Sequence, residues 1–426
     1  MNASQNNQGR HRVAKAALPA TGDGLFSRLW FKVENRVYSA ILNRIDHGLE
    51  AGTINGFLPD GTAVILGARR PGPVADVRLN SWRALTRLVR GGSIGGYEGW
   101  AAGDWDSPDP VPFFELFTRN RAALGAVARA SGLAKIAGRI AHGLRRNSKA
   151  KARANIAAHY DLGNDFYAAW LDPTMTYSSA VFANSPTARS DDLEAAQQRK
   201  MDLILDRLDL KDGDSLLEIG CGWGGLAEGA LHTRALHYHG ITLSPKQKAL
   251  ADARLASQRD CAITLTDYRD VAGQYDAIAS VEMVEAVGMQ YWPSYLDCIA
   301  RNLKPCGRAA LQYIRIEDDV FESYAGSADF IQRYIFPGGM LLSESRFRAL
   351  AEKRGLVWTD QQDYGLHYAE TLRQWRERFD AAIAEGRLPA GFDAKFIALW
   401  RYYLMYCEGG FRGGGINVAQ VTLVKA

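Results

Sequence analysis

Short apolar runs alternate with helical segments through the second half of this 426-residue chain. Such an alternation predicts an α/β fold, in which a doubly wound parallel sheet carries helices on both faces. The candidate strands are, in order, SLLEIG, YHGITLS, AITLTDY, YDAIASVE and RAALQYIRI. The chain ends in GINVAQVTLVKA, an apolar strand with no helix after it, which we expect at the edge of the sheet.

The first of these strands runs directly into a glycine-rich turn, LLEIGCGWGG, at residues 216–225. In a doubly wound sheet, ligands bind at the carboxyl ends of the strands. The glycine spacing only loosely resembles the dinucleotide pattern G-x-G-x-x-G, and the chain contains no G-x-x-x-x-G-K-[ST]. The turn therefore predicts a cofactor site and argues against a nucleoside triphosphate.

Acidic residues at two strand ends narrow the choice of cofactor. The carboxylate of Glu218 would repel a pyrophosphate, but it can accept from the ammonium of an amino-acid ligand. Asp267 ends the third strand, where it could accept from an adenine amino group. S-adenosylmethionine carries an ammonium, a sulfonium and an adenosine without phosphate, so the pattern favours it. In the alternative interpretation, Glu218 and Asp267 only cap helices.

The second strand ends in GITLS, without the acidic residue that usually binds ribose hydroxyls. Thr242 and Gln247 would then bind the ribose through neutral polar groups. This absence weakens the dinucleotide interpretation more than the S-adenosylmethionine one.

Composition excludes several classes of protein. With 51 Lys+Arg against 47 Asp+Glu, the charge is too balanced to predict a nucleic-acid partner. The five cysteines form no C-x-x-C pair, so neither a disulfide framework nor a metal site is indicated. The polar first residues lack a secretory signal, and no apolar run is long enough to span a bilayer. We expect a cytoplasmic protein that is soluble or lies on a membrane surface.

Four segments can be distinguished. A polar tail covers 1–24, a smaller α+β region covers 25–125, a basic linker helix covers 126–153 and the α/β region covers 154–426. In the α+β region, TAVILGA predicts a strand, and SWRALTRLVRGG and PVPFFELFTRNR predict helices. That region shows no cluster of catalytic residue types, so we expect it to serve binding or assembly.

The linker segment predicts an amphipathic helix with a basic face. Its apolar positions at helical spacing are Leu133, Ile136, Ile140 and Leu144. Its basic positions are Lys135, Arg139, Arg145, Arg146, Lys149, Lys151 and Arg153. Such a helix can bind anionic lipid at a membrane surface. A solvated linker helix packed on its own protein remains the alternative.

Eight motifs, in this order, resemble the cyclopropane-fatty-acyl-phospholipid synthases, a family that includes mycolic acid cyclopropane synthases and related lipid methyltransferases. They are HYDLGNDFY, TYSSA, LEIGCGWGG, GITLSPKQ, DYRD, SVEMVEAVG, RYIFPGG and YYLMYCEGGFRGG. The resemblance implies a Rossmann-like class I S-adenosylmethionine-dependent methyltransferase domain. GGYEGWAAGDWDSPD, in the α+β region, resembles the lipid-binding domain of bacterial members more weakly.

The resemblance also implies a reaction and a cofactor site. The family transfers the methyl group of S-adenosylmethionine to the double bond of an acyl chain, then removes a proton to close a cyclopropane. Tyr177 and Ser178 would contact the methionine end of the cofactor. The turn residues Gly220, Cys221 and Gly222 would line the cofactor. The residues expected around its ribose and adenine are Thr242, Gln247, Tyr268 and Arg269.

In the family, the proton acceptor is a bound bicarbonate. The resemblance places it among Ser179, Glu285, Gln312, Ile314 and Tyr368. Two of these positions depart from the family, which commonly has cysteine at the position of Ser179 and histidine at that of Gln312. A hydroxyl and an amide can still donate hydrogen bonds to a carbonate oxygen, but neither titrates as histidine does near neutral pH.

Two further residues lie in the family motifs. Cys407 matches a cysteine that is sometimes treated as catalytic, but methyl transfer to an alkene needs no covalent enzyme intermediate, so we expect it to pack near the pocket. Glu282 is either a second acid of the site or a strand-end residue that faces solvent, and we expect the latter.

Three functions stay open. The first is cyclopropane formation on a phospholipid acyl chain. The second is methyl transfer that leaves a methyl- or methylene-branched unsaturated chain, and the third is lipid binding without catalysis. The expected partners are unsaturated phospholipid acyl chains and the anionic inner face of the membrane, and a homodimer is left open.

Overall fold

The computed structural model describes residues 25–125, 162–184 and 192–426. The polar tail, the basic linker helix and the first three residues of the HYDLGNDFY motif, 159–161, lie outside the described residues.

The α+β region is built around a four-stranded sheet in the order β2-β1-β3-β4. Its strands are β1 (Thr53–Phe57), β2 (Ala63–Gly67), β3 (Val74–Leu79) and β4 (Trp105–Asp106). Its helices are α1 (Leu25–Gly48), α2 (Arg83–Gly91), α3 (Ser93–Ala101), α4 (Val111–Arg119) and α5 (Arg121–Leu124). The strand and both helices that the sequence predicts here are present.

The second sheet carries the alternation that the sequence predicts. Its order is β11-β12-β9-β8-β5-β6-β7, with β10 paired to β9, and β5 to β9 are mutually parallel where they pair. The five predicted strands are β5 (Ser215–Ile219), β6 (His237–Thr242), β7 (Cys261–Leu265), β8 (Tyr275–Val281) and β9 (Leu303–Ile316). The three others are β10 (Leu342–Ser343), β11 (Leu356–Asp363) and β12 (Ile416–Lys425).

The position expected for the last strand is wrong. β12 does not form the edge, because it pairs antiparallel with β9 on one side and with β11 on the other. Residues 418–423 of β12 are all buried, as a strand between two neighbours requires, whereas β11 alternates buried and exposed residues and takes the edge.

Helices cover both faces of this sheet. Leu216 and Leu217, which are adjacent in β5, enter different core clusters, so the two faces have separate cores. The helices before β8 are α6 (Asn164–Ala168), α7 (Leu193–Leu208), α8 (Gly225–Thr233) and α9 (Pro245–Arg254). The later ones are α10 (Trp292–Asn302), α11 (Asp318–Ala325), α12 (Phe330–Tyr334), α13 (Glu344–Glu352), α14 (Gly365–Ala384) and α15 (Ala394–Arg412).

The α+β region shares a core with the α/β region. Buried residues of α4 and of the C-terminal helix α15 belong to one apolar cluster. The rings of Phe114 on α4 and Tyr402 on α15 lie 5.2 Å apart, centroid to centroid, in an edge-on arrangement. The α+β region therefore packs directly against α15 of the α/β region. In the part of the chain that the structure describes, no helix is both long and apolar enough to cross a membrane.

Candidate active site

The glycine turn lies between β5 and α8, at the carboxyl end of its strand. Gly220 and Gly222 both have left-handed backbone, with φ of +85° and +53°. A Cβ at Gly220 would lie 2.8 Å from the Cγ of Met283, so packing excludes a side chain there. A Cβ at Gly222 would have no atom within 4 Å, so the backbone there is open to a ligand. This combination fits a cofactor held close to the main chain.

Neutral polar groups meet at the end of β6, as the sequence predicts. The Thr242 hydroxyl donates to Oε1 of Gln247 over 2.8 Å, and both side chains are buried. Ser244 caps α9 by accepting from the backbone N–H of Gln247. These groups can exchange their mutual hydrogen bond for bonds to ribose hydroxyls.

The carboxylate of Asp267 is engaged by Arg269. The guanidinium donates from Nε to Oδ1 over 2.8 Å and from Nη2 to Oδ2 over 2.6 Å. Asp267 also caps the short helical turn at Tyr268–Asp270 by accepting from the Arg269 N–H. The capping interpretation thus describes this residue in the structure, and contact with an adenine stays a prediction. The Arg269 guanidinium lies over the rings of Tyr268 and Tyr291.

Glu218 is buried in β5 and caps no helix. It accepts from the phenol of Tyr238, and burial raises its pKa to about 7. Because this pKa is close to neutral pH, a nearby ammonium group would favour the ionised form of Glu218.

Lys200 is a functional candidate that the sequence analysis missed. It lies on the buried face of α7, and its Nζ donates to the hydroxyl of Ser178 over 2.6 Å. Burial lowers its pKa to about 8, against the opposing effect of Glu282. A lysine at an apolar position of an amphipathic helix was the signal that could have identified it.

Tyr177, next to Ser178 in the TYSSA motif, points into a group of aromatic residues. Its hydroxyl lies 2.8 Å from that of Tyr403. Its ring packs against those of Trp170 and Trp375, at centroid distances of 5.7 and 5.2 Å. The motif therefore brings a polar group and aromatic rings to one place.

The expectation that Glu282 faces solvent is wrong. Its Oε1 accepts from the Ser179 N–H and from the Gln312 amide, each over 2.8 Å. Its Oε2 accepts from the Tyr368 hydroxyl over 2.7 Å. Three donors thus offset the cost of burying this carboxylate, which sequence alone does not reveal.

Glu285 lies beside this cluster in different surroundings. Its Oε1 accepts from the Ile314 N–H, while its Oε2 has no hydrogen-bond partner among the described residues. Burial, together with the charge of Glu282, raises the pKa of Glu285 to about 8. Burial also raises the pKa of Glu282, against the opposing effects of its three hydrogen bonds and of Lys200. Near neutral pH Glu285 is therefore neutral, while both oxygens of Glu282 act as hydrogen-bond acceptors.

The groups expected around bicarbonate are together, but they do not fit a bound bicarbonate. The chain's own carboxylates accept from the N–H groups of Ser179 and Ile314, from the Gln312 amide and from the Tyr368 hydroxyl. The Ser179 hydroxyl donates to the Ala180 carbonyl over 3.1 Å instead of into the site. Each donor is already satisfied.

An apolar cavity of about 460 Å³ opens onto the two carboxyl groups. Near them it is lined by Tyr177, Tyr368 and Tyr403, and it continues along side chains of the α+β region. The lining residues from that region include Leu88, Phe113, Phe117 and Arg121. The glycine turn adjoins the cavity, because Met283, packed on Gly220, follows Glu282 in the chain.

Cys407 also lines the cavity. Burial, followed by the charge of Asp329, raises the pKa of its thiol, so the thiol is protonated near neutral pH. A protonated thiol is a poor nucleophile, which supports the packing role expected for Cys407.

Known proteins resemble the chain in sequence and in fold. A family model described as mycolic acid cyclopropane synthetase matches residues 147–421. A tuberculostearic acid methyltransferase of Mycobacterium tuberculosis is 40% identical over 385 residues, covering 86% of each chain. The cyclopropane-fatty-acyl-phospholipid synthase of Escherichia coli K12 is 35% identical over 353 residues, covering 82% of this chain and 88% of that protein.

Among solved structures, a mycolic acid cyclopropane synthase complexed with SAH and CTAB aligns with a TM-score of 0.59 at 30% identity. The alignment covers 64% of this chain and 98% of that one. The predicted fold class is therefore confirmed.

Proposed function

The chain belongs to the mycolic acid cyclopropane synthetase family, and from this membership we propose that it transfers a methyl group from S-adenosylmethionine to the double bond of an unsaturated phospholipid acyl chain. The observation that carries the proposal is the apolar cavity, which opens onto two half-buried carboxyl groups, Glu282 and Glu285, beside the glycine turn. An acyl chain fits an apolar cavity of this kind.

The residues of the chain suit both ends of the cofactor. The open backbone at Gly222 and the pair of Thr242 and Gln247 fit the adenosine side. The Lys200–Ser178 pair supplies a buried cation and a hydroxyl suited to a carboxylate at the methionine side. S-adenosylmethionine, when bound, supplies an electrophilic methyl group.

The cavity also suits the chemistry of an alkene that attacks this methyl. The π electrons of the alkene form the new C–C bond, the S–C bond breaks, and a carbocation remains on the acyl chain. Aromatic rings stabilise cations, and Tyr177, Tyr368 and Tyr403 line this part of the cavity. Its apolar lining excludes water, which would otherwise trap the cation.

We propose that the product keeps a double bond, as a methyl- or methylene-branched chain. Of the two relatives compared, the one with the higher identity, over a larger share of this chain, is named a methyltransferase. The site also does not fit the bicarbonate that the resemblance implies. Cyclopropane formation is the second candidate. The 35% identity to the Escherichia coli synthase favours it.

One experiment tests both methyl transfer and the identity of the product. The protein is incubated with methyl-labelled S-adenosylmethionine and vesicles of unsaturated phospholipid. We expect label in the acyl chains, and none in matched vesicles of saturated phospholipid. Ozone should then cleave the labelled chains, since a branched alkene reacts and a cyclopropane does not. Unlabelled chains would reject methyl transfer, and ozone-resistant labelled chains would select the cyclopropane.

Calorimetric titration with S-adenosylmethionine separates an enzyme from a lipid-binding homologue without catalysis. We expect saturable binding. A protein that binds vesicles but not S-adenosylmethionine would instead match the third function.

The membrane partner also belongs to this proposal. A substrate within a phospholipid requires the protein to reach a membrane surface, and the basic segment at 126–153 carries the charge suited to anionic lipid. We propose attachment to the inner face of the membrane from the cytoplasm.

A further inference from the structure

We infer that the carboxylate of Glu282 takes the place of bicarbonate and is the base that removes the proton from the acyl-chain cation. This inference rests on the proposed methyl transfer and goes beyond it, because it assigns the base to the chain itself and makes the reaction independent of bicarbonate.

The hydrogen bonds of Glu282 are the first argument. Its carboxylate accepts from the Ser179 N–H, the Gln312 amide and the Tyr368 hydroxyl. A carboxylate has about four acceptor positions, and three are used here. Among the residues that the structure describes, Oε2 accepts only the Tyr368 hydroxyl, so it retains a lone pair that can take a proton.

The two departures from the family pattern are the second argument. Gln312 donates one amide hydrogen to Glu282, while its Oε1 accepts from Gln420 over 3.0 Å, which fixes the orientation of the amide. A glutamine is a permanent donor here and needs no protonation to hold an anion. Ser179 contributes its backbone N–H to the carboxylate, so its side-chain type matters little.

The position of Glu282 is the third argument. Both Glu282 and Glu285 line the cavity proposed for the acyl chain. Burial raises the pKa of Glu282, and its three hydrogen bonds, including that from Tyr368 on α14, and the ammonium of Lys200 on α7 oppose this shift and favour the carboxylate. Glu285 is kept neutral by burial and by Glu282, so the two carboxyl groups do not compete for the role of base.

The step balances without another reactant. For a methyl branch, a C–H bond next to the cationic carbon breaks, and its electron pair forms the new C=C bond. For a methylene branch, a 1,2-hydride shift first moves the cation to the carbon that carries the new methyl group, and a C–H bond of that methyl group then breaks in the same way. The proton goes to Oε2 of Glu282, which neutralises both the cation and the carboxylate. After product release the proton passes to water, and Glu282 is again ionised.

Two substitutions separate a base from a structural carboxylate. Glu282→Gln keeps the volume and removes the base, so we expect methyl transfer to fall by about 100-fold or more. Glu282→Gly removes the side chain at a backbone of φ +48°, which glycine adopts without strain. It frees three donors for an external anion. We expect Glu282→Gly to lose methyl transfer to a similar extent, and added bicarbonate or formate to raise its rate by at least about tenfold. The rate of Glu282→Gln should not respond to either anion.

The wild-type protein provides the complementary measurement. In carbon-dioxide-depleted buffer its rate should stay within about twofold of the rate with added bicarbonate. Glu194→Gln, on the exposed face of α7, is the matched control for exchange of a carboxylate for an amide and should behave as wild type. Calorimetry with S-adenosylmethionine and thermal unfolding establish that each variant is folded.

Several outcomes would overturn the assignment. These are a wild-type rate that collapses without bicarbonate, a Glu282→Gln variant with more than half the wild-type rate, and a folded Glu282→Gly variant that no anion rescues. If Glu282→Gly does not fold, the wild-type and Glu282→Gln measurements still decide. Absence of methyl transfer by the wild type itself would instead reject the proposed function.

Discussion

At the scale of single residues, Glu282 and Glu285 show how neighbouring positions acquire different charges. Glu282 accepts three hydrogen bonds and lies within the influence of Lys200, whereas Glu285 accepts one and has an unpartnered oxygen among the described residues. Burial raises the pKa of both carboxyl groups, but the three donors and Lys200 oppose the shift at Glu282, whereas the charge of Glu282 adds to the shift at Glu285. The SVEMVEAVG motif shows that both residues are glutamates. The roles of the two glutamates depend on contacts with distant residues, which the motif does not show.

The raised pKa of Glu285 predicts a dependence of stability on pH. Between pH 4.5 and about 8, the folded protein keeps a proton that the unfolded chain has released. The free energy of unfolding therefore falls as pH rises through this window. Glu285→Gln removes this contribution, so at about pH 8 we expect it to be more stable than wild type by roughly 1–3 kcal/mol, and nearly equal at about pH 5.

Thermal unfolding at the two pH values checks this expectation. Glu218, Glu282 and Asp329, whose pKa values burial also raises, leave some pH dependence in the variant. The control Glu194→Gln should keep the wild-type difference. If Glu285→Gln loses stability as steeply as wild type over this window, Glu285 is ionised in the folded protein and our account of the site is wrong.

At the scale of elements, the close packing of α4 on α15 sets the wall of the cavity. A Cβ at Gly409 of α15 would meet the Cβ of Phe114 and would lie 2.8 Å from the Val111 carbonyl oxygen and 2.9 Å from the Glu115 nitrogen. Because two of these atoms are backbone, the helices can accommodate a methyl group only by moving apart. Phe113, Phe114 and Phe117 of α4 all line the cavity, so such a movement would reshape it.

Gly409→Ala should therefore destabilise the protein by about 1–3 kcal/mol and lower methyl transfer. Gly229→Ala in α8 is the control, since its Cβ would lie 3.4 Å from the nearest atom, the Nε2 of Gln198, and alanine favours a helix. Denaturant unfolding and the vesicle assay measure the two effects. Equal stability and activity in both variants would show that the contact of α4 with α15 does not control the cavity.

Helices and strands could be predicted where the local sequence pattern determines them. They were harder to predict where pairing with a distant strand determines them. The apolar runs of β5 to β9 identify buried parallel strands without further information. The order of β11 and β12 could not be predicted in this way. The polar sequence TDQQD in β11 does not resemble a strand, and its pairing partner β12 lies about sixty residues away in the chain. The Glu282 cluster was missed for the same reason, since its donors come from β9, α14 and the TYSSA segment.

At the scale of the whole molecule, the α+β region and the α/β region together form the cavity. Residues of α2, α4 and α5 line it alongside residues of α14 and α15. The α+β region therefore contributes directly to substrate binding in the proposed function. This observation refines the expectation that it serves binding or assembly.

Attachment to membranes is the second property of the whole molecule. Replacing Arg145, Arg146 and Lys149 with alanine should weaken binding to anionic vesicles, by about 1 kcal/mol per basic residue at low salt. The loss should shrink as salt rises, because salt screens the attraction. Co-sedimentation with anionic and with neutral vesicles measures it. Unchanged binding to anionic vesicles at low salt would show that this segment does not attach the protein to the membrane.

Methyl transfer to an acyl chain is most directly tested with trideuteromethyl S-adenosylmethionine and intact unsaturated phospholipid, analysed by mass spectrometry with and without ozone. We expect a phospholipid with one added carbon and two or three added deuteriums, depending on which carbon loses the proton, on a chain that ozone still cleaves. A phospholipid that gains no deuterium would contradict methyl transfer, and a deuterated chain that resists ozone would contradict the proposed product.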